Sequence, residues 1–331
     1  SKRLNTIKQE KLNNQAANLD VETSENSIQE SIAQIYIQIL YAAESVKVNE
    51  NTLQVSIAQR DRGQELLNAG SIAKSDLAQL EAQVSTDRYQ LVTAQATLQD
   101  YKLQLKQLLE LDGENEMNVY LPALSDENVL LPLPTKKDVY MSALTLRPEI
   151  EASKLSVEAS ELGIDIAKAG YLPTISLSAG IGTNHTSGSD FTFGEQVKNG
   201  WNNSIGVSVS VPIFNNRQTK SAVQKAKLQR ETSLLSLLDE QKTLYKTIEG
   251  LWLDANSAQQ RYAAANEKLK STQISYDLIS EQFNLGMKNT VELLTEKNNL
   301  LQAQQEQLQA KYMAILNTQL LKFYQGDKLA L

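Results

Sequence analysis

Proline is confined to the middle of the chain. All six copies (Pro122, Pro132, Pro134, Pro148, Pro173, Pro212) fall between residues 122 and 212, so residues 1–121 and 213–331 carry none. Proline removes a helical hydrogen bond and clashes with the turn before it. Long proline-free stretches rich in Gln, Leu, Ala, Lys and Glu are therefore free to run as uninterrupted helices. Glycine follows the same division, with six of its 14 copies between Gly180 and Gly206. The order is helix block, irregular middle, helix block.

In the first block Ile28, Ile32, Ile35, Ile39, Ala42, Val46 and Leu53 follow the 4-3 spacing of a coiled-coil seam. The second block holds that spacing more strictly through Leu244, Ile248, Leu251, Ala255, Ala258, Tyr262, Ala265, Leu269, Thr272, Tyr276, Ile279 and Phe283. The blocks are also copies of one another at an offset of 216. Ile32, Ala42, Leu53, Asp61, Glu65, Asn68, Gly70 and Leu77 correspond to Ile248, Ala258, Leu269, Asp277, Glu281, Asn284, Gly286 and Leu293. Such a duplication predicts two helical hairpins, each a long helix, a Gly-bearing turn and a shorter returning helix.

Between them the apolar period changes from helical to two. Ile175, Leu177, Ala179 and Ile181 alternate with Thr, Ser and Gly over 174–182, and Ile205, Val207, Val209, Val211 and Ile213 alternate with Ser, Gly and Pro over 204–213. Strands of this length, apolar on one face and small-polar on the other, have the pattern of membrane-crossing β-strands. Tyr171 and Trp201, each just before a strand, suit an aromatic interface girdle. A hairpin packed on a soluble core is the alternative, but two isolated strands beside a long coiled coil have no second sheet to bury against. The predicted organisation is a first hairpin over 1–111 with its tip near 68–74, an irregular segment over 112–147, a short helix over 148–171 and a β-hairpin over 172–214. A second helical hairpin over 215–325, tip near 284–290, and a tail over 326–331 complete it.

Composition removes most chemistry. The net charge is -7, with 32 basic and 39 acidic residues, which offers no general field for nucleic-acid phosphates. No cysteine and a single histidine, His185, leave no thiolate nucleophile, disulfide framework or Cys/His zinc site. The carboxylates are spread over helix surfaces and no Gly-rich phosphate loop is present, so the sequence reads as neither an enzyme nor a cofactor or metal binder. No apolar run reaches the length of a transmembrane helix.

Several segments resemble the TolC-like outer-membrane efflux proteins, the exit ducts of tripartite pumps and type I secretion systems. Ala169-Gly-Tyr-Leu-Pro-Thr-Ile-Ser-Leu-Ser-Ala is similar to that family's entry into a barrel strand, and Val211-Pro-Ile-Phe-Asn-Asn-Arg to its exit into a periplasmic helix. Leu146-Arg-Pro-Glu-Ile matches a motif before the preceding helix, and the paired Asn-x-Gly turns match the periplasmic tips. The resemblance implies a mainly α protomer, with long antiparallel coiled-coil hairpins in two repeats and a transmembrane-type β-hairpin. It further implies an outer-membrane location with the helices in the periplasm, no cofactor, and assembly of the full-length chain as a homotrimer. A periplasmic adaptor, an inner-membrane transporter and outer-membrane lipid would be its partners, with no nucleic acid. The family carries a β-hairpin in each half, whereas residue 1 aligns with Arg217, after the only hairpin here; an N-terminally truncated protomer is therefore expected.

The same resemblance assigns site residues. The periplasmic gate falls on Phe283, Lys288 and Asp76, with Glu292 as an acidic constriction and Thr295 in place of a second acid. A Lys288–Asp76 latch between exposed side chains would contribute about 1 kcal/mol or less. Ordinary helix-end charges, favoured by the helix dipole, are the competing reading of these positions. The adaptor would seat on Asn68, Gly70, Ser71, Asn284, Gly286 and Met287. A passive export duct for drugs, small molecules or polypeptides is the leading reading, with a structural coiled coil or periplasmic adaptor as the alternative.

Overall fold

The computed structural model describes residues 1–111, 117–122, 129–188 and 190–329. Parts of the segment expected to be irregular, 112–116 and 123–128, and the last two residues of the expected tail lie outside the described residues. The elements are α1 (Lys2–Asn68), α2 (Lys74–Leu108), α3 (Lys136–Leu146), α4 (Pro148–Lys168), β1 (Thr174–Gly182), α5 (Phe193–Asn199), β2 (Asn202–Ser210), α6 (Gln218–Asn284) and α7 (Thr290–Gln325). A single 3-10 turn, Ala169–Tyr171, joins α4 to β1. Both α1 and α6 have 67 residues, and the 216 offset carries the ends of α1 onto the ends of α6 and the start of α2 onto the start of α7. The duplication is thus preserved in the boundaries themselves.

Contacts divide the chain into one unit of Ser1–Asp20 with Glu149–Glu240 and another of Val21–Pro148 with Gln241–Leu331. In the first, α4 lies between the start of α1 and the start of α6. Gln9 donates to the Ala159 carbonyl at 2.8 Å, and Arg230 pairs with Glu161 at 2.8 Å.

The second unit holds the main core. Ala33, Ile37 and Leu40 of α1 pack on Tyr312, Leu316 and Leu320 of α7, while Ala258 and Tyr262 of α6 meet Ala310 and Ala314 of α7 and Val129. The seam expected in α6 is buried from Leu244 to Ala265 except for half-buried Leu251. In α1 the expected seam is only half right. Ile39, Ala42 and Leu53 are buried, Ile28 is exposed, and the face against α7 is carried by Ala33, Ile37 and Leu40 instead. Because α1 packs against more than its own returning helix, it buries two stripes, and a single 4-3 pattern describes one of them.

Residues 136–146, expected to be irregular, form α3. Thr135 caps it, accepting from the Asp138 N–H at 3.2 Å, and Val139 and Ala143 are buried. The Thr-x-x-Asp signature of a helix start was present at 135–138, but eleven residues are too few for a clear period. The irregular chain before α3 is held by side chains of α6. Trp252 donates to the Pro134 carbonyl at 3.0 Å, and Gln259 to those of Val129 at 3.0 Å and Leu131 at 2.8 Å. Arg147, from the Leu-Arg-Pro-Glu motif, is buried beside Glu30 at 3.2 Å and lies 4.2 Å from the Tyr324 ring centroid. The motif arginine therefore ties the α3–α4 junction to α1 and α7.

Candidate functional site

The antiparallel β1–β2 ribbon pairs Ile175 with Val209, Leu177 with Val207 and Ala179 with Ile205. On the opposite face Ser176 meets Ser208, Ser178 meets Gly206 and Gly180 meets Ser204. Side chains alternate across a strand, so this register places every apolar residue of the pairs on one side. Nothing among the described residues covers that side: Leu177 is 74% exposed and Ile205 83%. Two predicted members of the apolar face, Val211 and Ile213, lie beyond the end of β2 at Ser210. Pro212 between them has no N–H to extend the ladder, which ends the strand earlier than the alternation indicated. The connecting segment, expected to be a loop, contains α5, whose capping box joins Thr192 to Glu195. His185 Nδ1 lies 3.1 Å from Gln196 Oε1, with its ring edge-on to Phe193.

The two helical tips are near-duplicates in their hydrogen bonding. Gly70 and Gly286 have φ of 75° and 72°, in the left-handed region. Around them the Ser71 N–H bonds to the Leu66 carbonyl and the Met287 N–H to the Gln282 carbonyl, each at 2.8 Å. The Gly70 and Gly286 N–H groups bond three residues back, at 2.9 Å, completing a Schellman motif in each repeat. A methyl group at either glycine would meet nothing within 4 Å. The cost of Gly70→Ala or Gly286→Ala is therefore one of backbone conformation alone, about 1–2 kcal/mol each, with a smaller loss for asparagine. Urea unfolding that showed no loss for alanine would contradict the left-handed turn. Asn68, Gly70, Ser71, Asn284, Gly286 and Met287 are all exposed. Arg62 donates from Nη2 to the Asn284 carbonyl at 3.5 Å, joining one tip to the other.

Just past these turns, Asp76 and Glu292 occupy equivalent positions and perform the same task. The Glu292 carboxylate accepts from the Asn289 N–H at 3.2 Å while Asn289 Oδ1 accepts from the Glu292 N–H at 2.9 Å, a reciprocal cap at the start of α7. Asp76 accepts from the Ala73 N–H at 3.0 Å, but alanine has no acceptor to return, so α2 carries half of the device. Within the protomer Lys288 pairs with Glu292 at 2.6 Å. The i,i+4 spacing along the first turn of α7 places the ammonium there. Phe283, expected at the gate, is 3% exposed and packs with Leu80 and Leu293 beneath the tips. Thr295 bonds to the Val291 carbonyl of its own helix.

The hydrogen bond from Lys288, then that from the Asn289 N–H, holds the Glu292 carboxyl below the ordinary carboxylate range. A depressed folded-state value contributes stability that is present above the unfolded carboxylate pKa and lost as pH falls through the folded one. Protection factors of the amides at the start of α7, with the intrinsic pH dependence of exchange divided out, should therefore fall on acidification below the ordinary carboxylate range, and Glu292→Gln should flatten that dependence. Identical exchange profiles for the two proteins would rule the cap out as their source.

A cluster that the sequence reading missed lies deeper in the same unit. Lys297 of α7, Asp87 of α2 and Ser56 of α1 are 3%, 2% and 2% exposed. Lys297 donates to Asp87 Oδ2 and to Ser56 Oγ, and the Ser56 hydroxyl donates to the same carboxylate oxygen. Gln83 donates to Asp87 Oδ1 at 2.9 Å. Burial pulls the Lys297 ammonium below its ordinary pKa, and the Asp87 contact opposes that shift. A signal was available: Leu80-Val84-Asp87 and Leu293-Lys297-Leu300 both follow the 4-3 spacing, placing opposite charges on core positions.

Among the described residues no group of three or more His, Asp or Glu is arranged to hold a metal ion, and no helix is long and apolar enough to cross a membrane.

Comparison with known proteins places these features in context. The outer membrane efflux protein from Brucella suis biovar 1 named BepC is 25% identical over 294 residues, covering 88% of this chain and 61% of its own length. The outer membrane protein TolC of Escherichia coli K12 is 25% identical over 311 residues, covering 89% of this chain and 60% of its own. This chain thus spans about 60% of the length of those relatives. The fold matches the crystal structure of the Campylobacter jejuni CmeC outer membrane channel with a TM-score of 0.79 at 20% identity, over 100% of this chain and 69% of that one. The sequence pattern of the outer membrane efflux proteins matches residues 139–326, from α3 through the ribbon to the end of α7. The chain therefore belongs to the outer membrane efflux protein family.

Proposed function

We infer that the protein is a protomer of a passive outer-membrane exit duct, with its ribbon in the membrane and its helical hairpins in the periplasm. The observation that carries this reading is the β1–β2 ribbon. Its apolar face is uncovered, and within the described residues its only paired edge is the one between its own two strands. In hydrocarbon each unpaired backbone group costs several kcal/mol, so such a ribbon requires further strands on both outer edges, and closure into a barrel satisfies them all. Copies of the full-length protein, arranged as a homotrimer, supply them. Family membership and the relatives' names as outer membrane efflux proteins support the same direction.

Transport through such a duct requires no bond to be made or broken. An inner-membrane transporter supplies the energy, and a periplasmic adaptor seats on the exposed tips around Asn68, Gly70, Ser71, Asn284, Gly286 and Met287. Drugs, other small molecules or polypeptides pass through. The periplasmic end closes where Asp76, Lys288 and Glu292 converge as copies assemble, and Lys288 must leave Glu292 before it can reach Asp76 on a neighbour. Recordings from the folded oligomer in planar bilayers test the reading: discrete conductance steps are expected, and a folded oligomer that inserts but conducts nothing overturns it.

A further inference from the structure

Duplication creates a packing problem that apolar contacts alone do not solve. The two hairpins carry the same 4-3 seam, and hydrophobic burial is non-directional. A seam repeating every seven residues also fits itself after sliding by one heptad. The Ser56–Asp87–Lys297 cluster is directional, and it occurs once. At the offset of 216, Ser56, Asp87 and the counterpart of Lys297 become Thr272, Ala303 and Glu81, so the twin surface has neither the buried acid nor the buried base.

We propose that this cluster is a register key, fixing α7 at one axial position against α1 and α2 and distinguishing this seam from the one its duplicate would form. A slip of one heptad would bury the Lys297 ammonium away from Asp87 and leave the carboxylate without its cation. An unpaired buried charge is far more costly than a displaced leucine, whereas a correctly paired one adds little net stability over an apolar replacement. The geometry fits that role. The pair is almost wholly enclosed, whereas the Lys268–Glu306 pair between α6 and α7 leaves side chains 45% and 41% exposed. The cluster also bridges three helices through one carboxylate, so α1, α2 and α7 are positioned together.

The absence of cysteine allows a clean cross-linking test. Gln83 of α2 and Asn298 of α7 approach to 3.4 Å in the observed register. Cysteines at 83 and 298 report that register, and cysteines at 83 with 291 or with 305 report a slip of one heptad either way. With Asp87 and Lys297 intact, a short thiol-reactive cross-linker should join 83 to 298 only. In the Asp87→Leu/Lys297→Met protein, the melting temperature should stay within a few degrees of the parent while the slipped products rise at least about fivefold. Lys297→Met alone should lower the melting temperature by about 5–10 °C, because Asp87 remains buried without its cation. A double variant that fails to fold, or that still yields 83–298 as its sole product, overturns the proposal, as does a single variant as stable as the parent.

Discussion

Phe283→Ala lowers the unfolding free energy by about 3–5 kcal/mol, the range for emptying a buried phenylalanine site. The ring is 3% exposed among Leu80 and Leu293, with Leu66, Tyr276 and Leu294 packed around that cluster. It joins the end of α6 to the returning helices of both hairpins, so the cavity opens where three helices converge. Met287, four residues on, is 70% exposed, and Met287→Ala should change stability by no more than about 0.5 kcal/mol. Urea unfolding of both variants makes the comparison, with the midpoint moving for Phe283→Ala and the slope unchanged. Equal effects from the two substitutions would mean that Phe283 is not a core residue.

Leu177→Arg is expected to cost about 2–4 kcal/mol of membrane insertion, the range for a basic residue on the lipid face near mid-bilayer. Leu177 pairs with Val207 near the centre of the ribbon. Its neighbour Ser178 points the other way, toward Gly206, so Ser178→Arg should leave insertion nearly intact and act on what passes through. Folded yield in outer-membrane fractions, or spontaneous insertion into lipid vesicles, separates the two. Equal losses from both variants would mean that the two faces meet the same environment, and the assignment of lipid and lumen sides would fall.

Much of the architecture was legible because it rests on periodicity. Proline-free blocks, a 4-3 apolar spacing, an offset of 216 and a switch to period two specify long helices, their turns and a two-faced ribbon through local geometry. Less visible were elements whose order comes from elsewhere. Helix α3 has two buried apolar residues and a threonine cap, and it forms against α7. The second buried stripe of α1 exists because another hairpin packs there. The strand boundary at Ser210 depended on Pro212, whose missing N–H outweighed the continuing apolar alternation.

The tip residues show the same division more sharply. The family resemblance singled out Asp76 and Glu292, and within the protomer both carboxylates close helix ends, a task set by unsatisfied backbone N–H groups. Phe283 read as a gate aromatic, and only packing showed it to be enclosed. Sequence alone determined the repeat, the helical lengths, the turns and the two faces of the ribbon, because each depends on residues within a few positions of one another. Tertiary structure decided which seam positions were buried, and that Lys297 and Asp87 face one another across 210 residues of chain. Those outcomes depend on how separate helices meet, and a pairing between distant segments leaves no periodic trace in either one.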